Sequence, residues 1–155
     1  MDFGDEEILQ LFRVLQQHRV KYLLVGGFAV NLHGYNRFTE DIDLWVKDDS
    51  ENRHHLRAAF EELLNTRLPE LDRMQFVAGW SIIKLPSGFP IDFMSGVNGL
   101  EPIGFDTCLN QAQVVQLEDI TIPFLHINHL RETKIAAGRP KDLLDLDELN
   151  KIHRE

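Results

Sequence analysis

Apolar positions along the chain follow two rhythms. In "DEEILQLFRVLQQH", residues 5–18, Ile8, Leu11, Phe12 and Leu15 recur at helical spacing behind an acidic first turn, which predicts an amphipathic helix. "KYLLVGG" then reads as a short buried strand ended by Gly26 and Gly27, "FAVNLHG" as a helix stopping at Gly34, and "DIDLWV" as a second strand. A longer helix is predicted over "DSENRHHLRAAFEELLNTRL", capped by Asp49 or Ser50 and periodic in Leu56, Phe60, Leu63 and Leu64. "QFVAGWSIIKL" and "SGFPIDFMSG", punctuated by Pro86, Ser87 and Gly88, predict a hairpin or meander of short strands. "AQVVQLEDITIPFLHI" holds two β-rich runs joined by Glu118 and Asp119, and Pro123 places the second at a sheet edge. Two closing helices, "INHLRETKIAAG" and "KDLLDLDELNKIH", are divided at Gly138 and Pro140. The expected fold is α/β (α+β): a mixed β-sheet flanked by α-helices, with a C-terminal helix pair. It is expected as one domain over residues 1–155, with a core in 20–95 and C-terminal strands and helices in 113–155.

Composition narrows the classes of function. The 155 residues are 43% hydrophobic and 26% charged, with no apolar run near the ~20 residues of a membrane span. The acidic start "MDFGDEEILQ" lacks the features of a secretory signal, so a cytoplasmic location is expected. Cys108 stands alone and fits a buried structural thiol. A net charge of -9 argues against nonspecific DNA binding, which needs a basic face. It leaves room for a local basic pocket. Arg131, Lys134, Arg139, Lys141, Lys151 and Arg154 gather near the end of the chain, interleaved with Asp142, Asp145, Asp147 and Glu148.

Candidate chemistry lies in "LLVGGFAVNLHGYNRFTEDIDLWV", residues 23–46. Side chains alternate across a strand, so Asp41 and Asp43 share one face while Ile42 and Leu44 turn to the core. Two like charges on one face repel unless a cation lies between them, and a hard divalent ion such as Mg²⁺ suits carboxylate oxygens. A third carboxylate would allow two ions, and Asp92 in "PIDFM" has surroundings like those of Asp43, with Ile91 and Phe93 facing the core. Gly26 and Gly27, between strand and helix, let backbone N–H groups approach a phosphate; a tight turn explains such a pair as readily.

The stretch "GGFAVNLHGYNRFTEDIDLWV" resembles the signature of the DNA polymerase beta-like nucleotidyltransferase superfamily, a Gly-Gly turn followed after a spacer by Asp-hydrophobic-Asp. It is most similar to the small bacterial branch of minimal nucleotidyltransferases and nucleotidyltransferase-like toxins of abortive-infection and toxin–antitoxin systems. The resemblance implies two Mg²⁺ ions, with Mn²⁺ as a substitute, and transfer of a nucleoside monophosphate from a nucleoside triphosphate with release of pyrophosphate. It implies Asp41, Asp43 and Asp92 as metal ligands and catalytic groups, with Asp92 also the general base, and Gly26 and Gly27 as holders of the triphosphate. "KIAAGRPKDLLDLDEL" resembles the helix pair after this core, which implies phosphate contacts from Lys134 and Lys141 and a role for Asp142 in orienting Lys141 or capping the last helix.

Other residues read more plainly. Arg37 and Thr39 border the expected cleft, where phosphate contact competes with a solvated side chain for Arg37 and with strand propensity for Thr39. His33 suits a helix C-terminus. The pairs His54/His55 and His126/His129 lack a third ligand at zinc-like spacing. Trp45 and Trp80 flank the carboxylate strands and could stack on a base, but aromatic residues in strands usually pack. The acceptor expected is an RNA or protein hydroxyl, and the short chain leaves room for a partner protein in its recognition. A noncatalytic nucleotidyltransferase-fold component acting through a partner protein is the competing class. An Asp-Ile-Asp metal hydrolase is a third, which leaves the Gly-Gly helix start unexplained.

Overall fold

The structure is a computed structural model and describes residues 4–154. Helix α1 (Glu6–Gln17) starts where the Asp5 carboxylate accepts from the backbone N–H of Glu7, and it buries Leu11, Phe12, Val14 and Leu15. Strand β1 (Tyr22–Val25) runs directly into α2 (Gly26–Leu32), and β2 (Ile42–Val46) follows. Helix α3 (Ser50–Leu64) is capped by Asp49, which accepts from the backbone N–H of Asn52, and ends on Asn65 in the left-handed region. A short 3₁₀ turn (Pro69–Asp72) leads to the hairpin of β3 (Ile82–Lys84) and β4 (Pro90–Met94). Then come α4 (Phe105–Asn110), the hairpin β5 (Gln113–Leu117) and β6 (Ile120–Phe124), and the pair α5 (Ile127–Ala137) and α6 (Pro140–Ile152). Gly138 ends α5 in the left-handed region and Pro140 opens α6 at its first position, where a missing N–H costs nothing.

The six strands form one mixed sheet in the order β3-β4-β2-β1-β6-β5. β1 is antiparallel to β2 and parallel to β6, while β2 is parallel to β4. The central strands are covered on both faces, which is why β1 reads as a continuous apolar run. One face sends Leu24, Ile42, Leu44, Ile91 and Phe93 into a core shared with α1 and α3. The other sends Leu23, Val25, Trp45 and Met94 against residues of α2, α4, α5 and α6, among them Ala29, Cys108, Leu130 and Leu149. Cys108 is fully buried there, as expected of a structural thiol.

Pro123 does not mark a sheet edge. Its strand, β6, lies between β1 and β5, and β5 is the edge. Pro123 is tolerated because β1 and β6 pair only at Leu24 and Phe124, where the next backbone N–H, that of Leu125, donates to Leu24 O at 3.1 Å. The ladder never asks Pro123 for a donor on that side.

Candidate active site

The site begins with strand register. β2 and β4 align so that Asp43 lies beside Asp92, and the antiparallel pairing of β1 with β2 sets Val25, the residue before Gly26, beside Asp43. Asp41 precedes β2 and points to the same side. One carboxylate oxygen from each of Asp41, Asp43 and Asp92 lies within 4.8 Å of the others. Asp41 and Asp43 are half-buried and Asp92 is 6% exposed.

Three acids this close are electrostatically costly. Burial, then the charges of Asp41 and Asp92, push the Asp43 carboxyl up to about 8. Burial also raises Asp92, opposed by the backbone N–H of Gly79, which donates to its Oδ2 at 2.8 Å. The other Asp92 oxygen, Oδ1, is buried with no hydrogen-bond partner among the described residues. A buried unpartnered carboxylate oxygen within an all-oxygen donor set fits a hard divalent cation, which would satisfy Oδ1 and relieve the repulsion that adds to burial in raising Asp43.

The glycines make this cluster possible. Gly26 has φ +68°, and a Cβ on it would lie 2.0 Å from Oδ2 of Asp43. A Cβ on Gly27 would lie 2.7 Å from Oγ1 of Thr39, whose hydroxyl donates to Asp41 O at 3.0 Å. The Gly-Gly turn is therefore packed onto the connection that carries the aspartates. Two clefts meet at Gly26, Asp41 and Asp43. One, about 400 Å³, reaches Asp92, Gly79, Met94, Asn98 and Thr133; the other, about 370 Å³, holds Gly27, Arg37, Phe38 and Thr39. Lys134, Arg139 and Lys141 line both.

A family model described as nucleotidyl transferase AbiEii toxin, type IV toxin–antitoxin system, matches residues 9–155. The chain belongs to this family. Solved structures share the fold of this AbiEii chain at low identity. A candidate nucleotidyltransferase from Thermotoga maritima is 17% identical, with TM-score 0.60 over 94% of this chain and 91% of that one. An antigenic nucleotidyltransferase-like protein from Paracoccidioides brasiliensis is 14% identical, with TM-score 0.63 over 98% and 78%. The lincosamide antibiotic adenylyltransferase LnuA, lincomycin-bound, is 16% identical, with TM-score 0.57 over 96% and 98%. No curated protein matches the chain. Family and fold together place the AbiEii chain among nucleotidyltransferases, with the expected mixed sheet and flanking helices. Among the described residues no helix is long and apolar enough to cross a membrane.

Every residue expected at the site lies on one of the two clefts, but several have other partners than expected. Arg37 is forked onto Asp145, Nε to Oδ1 at 2.7 Å and Nη2 to Oδ2 at 2.8 Å, while its Nη1 donates to Phe38 O. Lys134, 7% exposed, lies 2.9 Å from Asp145 and 3.5 Å from Asp142. Asp142 caps α6 as foreseen, but it accepts from the backbone and side chain of Arg139 and does not orient Lys141. Burial works against the charges of Asp142 and Asp145. The hydrogen bonds from Arg139 and Arg37 and the nearby Lys134 nonetheless hold both acids below the usual carboxylate range. Lys141 lines both clefts with no carboxylate in ion-pair reach among the described residues.

Sequence reasoning missed Asp145 and Gly79 and mistook Trp80. Asp145 was open to view, since Asp142 and Asp145 fall three apart on one helix face. Nothing in "VAGWS" announces a backbone N–H aimed at Asp92. Trp45 packs as expected, edge-on to Phe105 at 5.3 Å, but Trp80 lies in a turn before β3 and is 85% exposed.

Proposed function

We propose that the chain transfers a nucleoside monophosphate from a nucleoside triphosphate to a hydroxyl of an RNA or protein acceptor, with release of pyrophosphate, as the enzymatic part of a toxin–antitoxin or abortive-infection system. The observation that carries this reading is the convergence of Asp41, Asp43 and Asp92 beside Gly26, at the point where two clefts that share Lys134, Arg139 and Lys141 meet. Asp41, Asp43 and Asp92 would hold two Mg²⁺, with Mn²⁺ as a substitute. When bound, the ions neutralise charge on the phosphates and lower the pKa of the attacking hydroxyl.

The chain's own groups divide the remaining work. Gly26, Gly27, Thr39, Lys134 and Lys141 surround the place for the β- and γ-phosphates, with Arg139 at the rim. Asp145 fixes Arg37 and Lys134 on that cleft, so that they lose little rotamer freedom when a phosphate binds. The attacking and leaving oxygens of an in-line transfer lie on opposite sides of the α-phosphorus, so the acceptor enters by the Asp92 side. Asp92 takes the hydroxyl proton there. The test is Asp92→Asn: binding of the nucleoside triphosphate should persist while transfer falls by at least about 100-fold. Transfer retained by Asp92→Asn at the wild-type rate would overturn the assignment.

A further inference from the structure

Helices α2 and α6 both start at the candidate site. α2 opens with Gly26 and Gly27, and α6 carries Lys141 and Asp142 in its first turn, all on the walls of the two clefts. Their far ends are joined by two histidines. His153, which ends α6, donates from Nε2 to His33 O at the end of α2, at 2.7 Å. Buried His33 donates in turn from its own Nε2 to Leu125 O, also at 2.7 Å, and Leu125 N donates to Leu24 O on β1. The two imidazoles meet edge to face at 5.6 Å. Two neighbours close the junction. Gly34 has φ +111° and a Cβ on it would lie 3.3 Å from Ile152, while Arg131 of α5 donates from Nη2 to His153 O at 3.0 Å. None of these groups lines either cleft.

We propose that His33 and His153 are positioning residues for the transfer: the relay from His153 through His33 to Leu125 sets the separation of α2 and α6, and with it the gap in which Gly27 and Lys141 face the β- and γ-phosphates. This rests on the nucleotidyl-transfer reading above. α2 has 7 residues and no side-chain cap, so packing and not its own hydrogen bonds must hold it in place. α6 has 13 residues and is about 20 Å long, so a tilt of about 3° about its histidine end carries Lys141 through about 1 Å. A displacement of that size is enough to spoil a hydrogen bond to a phosphate oxygen. Near the site Asp145 holds α6 to Arg37 and Lys134, and the histidines fix the other end. Phosphate contacts of this kind act alike on the bound nucleotide and on the transition state, so loosening them raises the nucleotide KM and spares kcat.

The test takes His153, which is half-buried at the end of the last helix, and uses the full chain. His153→Gln keeps an N–H donor near the place of Nε2 and loses the ring, whereas His153→Phe keeps a ring against His33 and loses the donor. Calorimetric titration with inorganic triphosphate and Mg²⁺ reads the phosphate cleft without a base or an acceptor, each variant being measured below its melting temperature. His153→Phe and His153→Ala should weaken triphosphate binding and raise the nucleotide KM about tenfold with kcat within about twofold, and His153→Gln should stay within about threefold of wild type. Unchanged triphosphate affinity in His153→Phe, a loss in His153→Gln as large as in His153→Phe, or a fall in kcat alone would overturn the proposal. Should the wild type bind triphosphate and transfer nothing, the nucleotidyl-transfer reading fails, and the titration still decides the role of the relay. Should it bind no triphosphate, the relay has no phosphate to position and the proposal fails.

Discussion

A Cβ on Gly26 would lie 2.0 Å from the carboxylate of Asp43, so that carboxylate occupies room that any other residue at position 26 would fill. Gly26→Ala should cost about 1–3 kcal/mol for the left-handed backbone and reduce transfer by far more than the stability loss explains, because Asp43 must turn out of the cluster. Denaturant unfolding set beside a transfer assay checks this. Asp43 itself titrates near 8, above its unfolded value of about 4. A raised folded value means that the native state binds the proton more tightly. The contribution of Asp43 to the stability of the metal-free chain is then fully present below about pH 4 and is lost progressively as pH rises through about 8. Thermal melts in chelator between pH 5 and 9 should fall with pH, Asp43→Asn should flatten that slope, and Mg²⁺ should restore stability most strongly at the alkaline end. The pairing of Asp41 with Asp43 was legible from period-2 alternation alone. Gly26 as the space for Asp43 was not, because that contact depends on how β1 registers with β2.

At the scale of elements, the α5–α6 pair anchors the cations. Asp145 alone joins Arg37, on the connection between α2 and β2, to Lys134 on α5. Asp145→Ala leaves two cations beside a cleft with one shared carboxylate, Asp142, for Lys134 and none for Arg37. It should destabilise the chain by about 3 kcal/mol, the low end for a broken buried pair because Arg37 keeps some solvent contact. The nucleotide KM should rise with it; denaturation curves and steady-state kinetics measure the two separately. Helices α1, α3, α5 and α6 were legible from apolar spacing, helped by the cap at Asp49 and the stop at Gly138, whereas α4 was not foreseen. Misreadings arose where a local rule met an unseen neighbour. Pro123 lies in an interior strand because pairing with β1 is too short to need its N–H, and "VAGW" turns where the Ser81 hydroxyl holds the backbone of Gln75 and Val77.

For the molecule as a whole, the mixed sheet, its flanking helices and the place of Asp92 on a strand beside Asp43 follow from hydrophobic pattern and motif spacing together. The two clefts that meet at the aspartates belong to the tertiary arrangement, since their walls come from strands, a turn and the last two helices. The central claim is that the α-phosphorus moves and pyrophosphate leaves. It is tested most directly by incubating the chain with Mg²⁺, an RNA pool and nucleoside triphosphates labelled on either the α- or the γ-phosphorus, beside the Asp41→Asn/Asp43→Asn double variant. Nucleotidyl transfer predicts label in the acceptor from the α-position only, label in pyrophosphate from the γ-position, and neither with the double variant. Label carried into the acceptor from the γ-position, or transfer undiminished in the double variant, would contradict it.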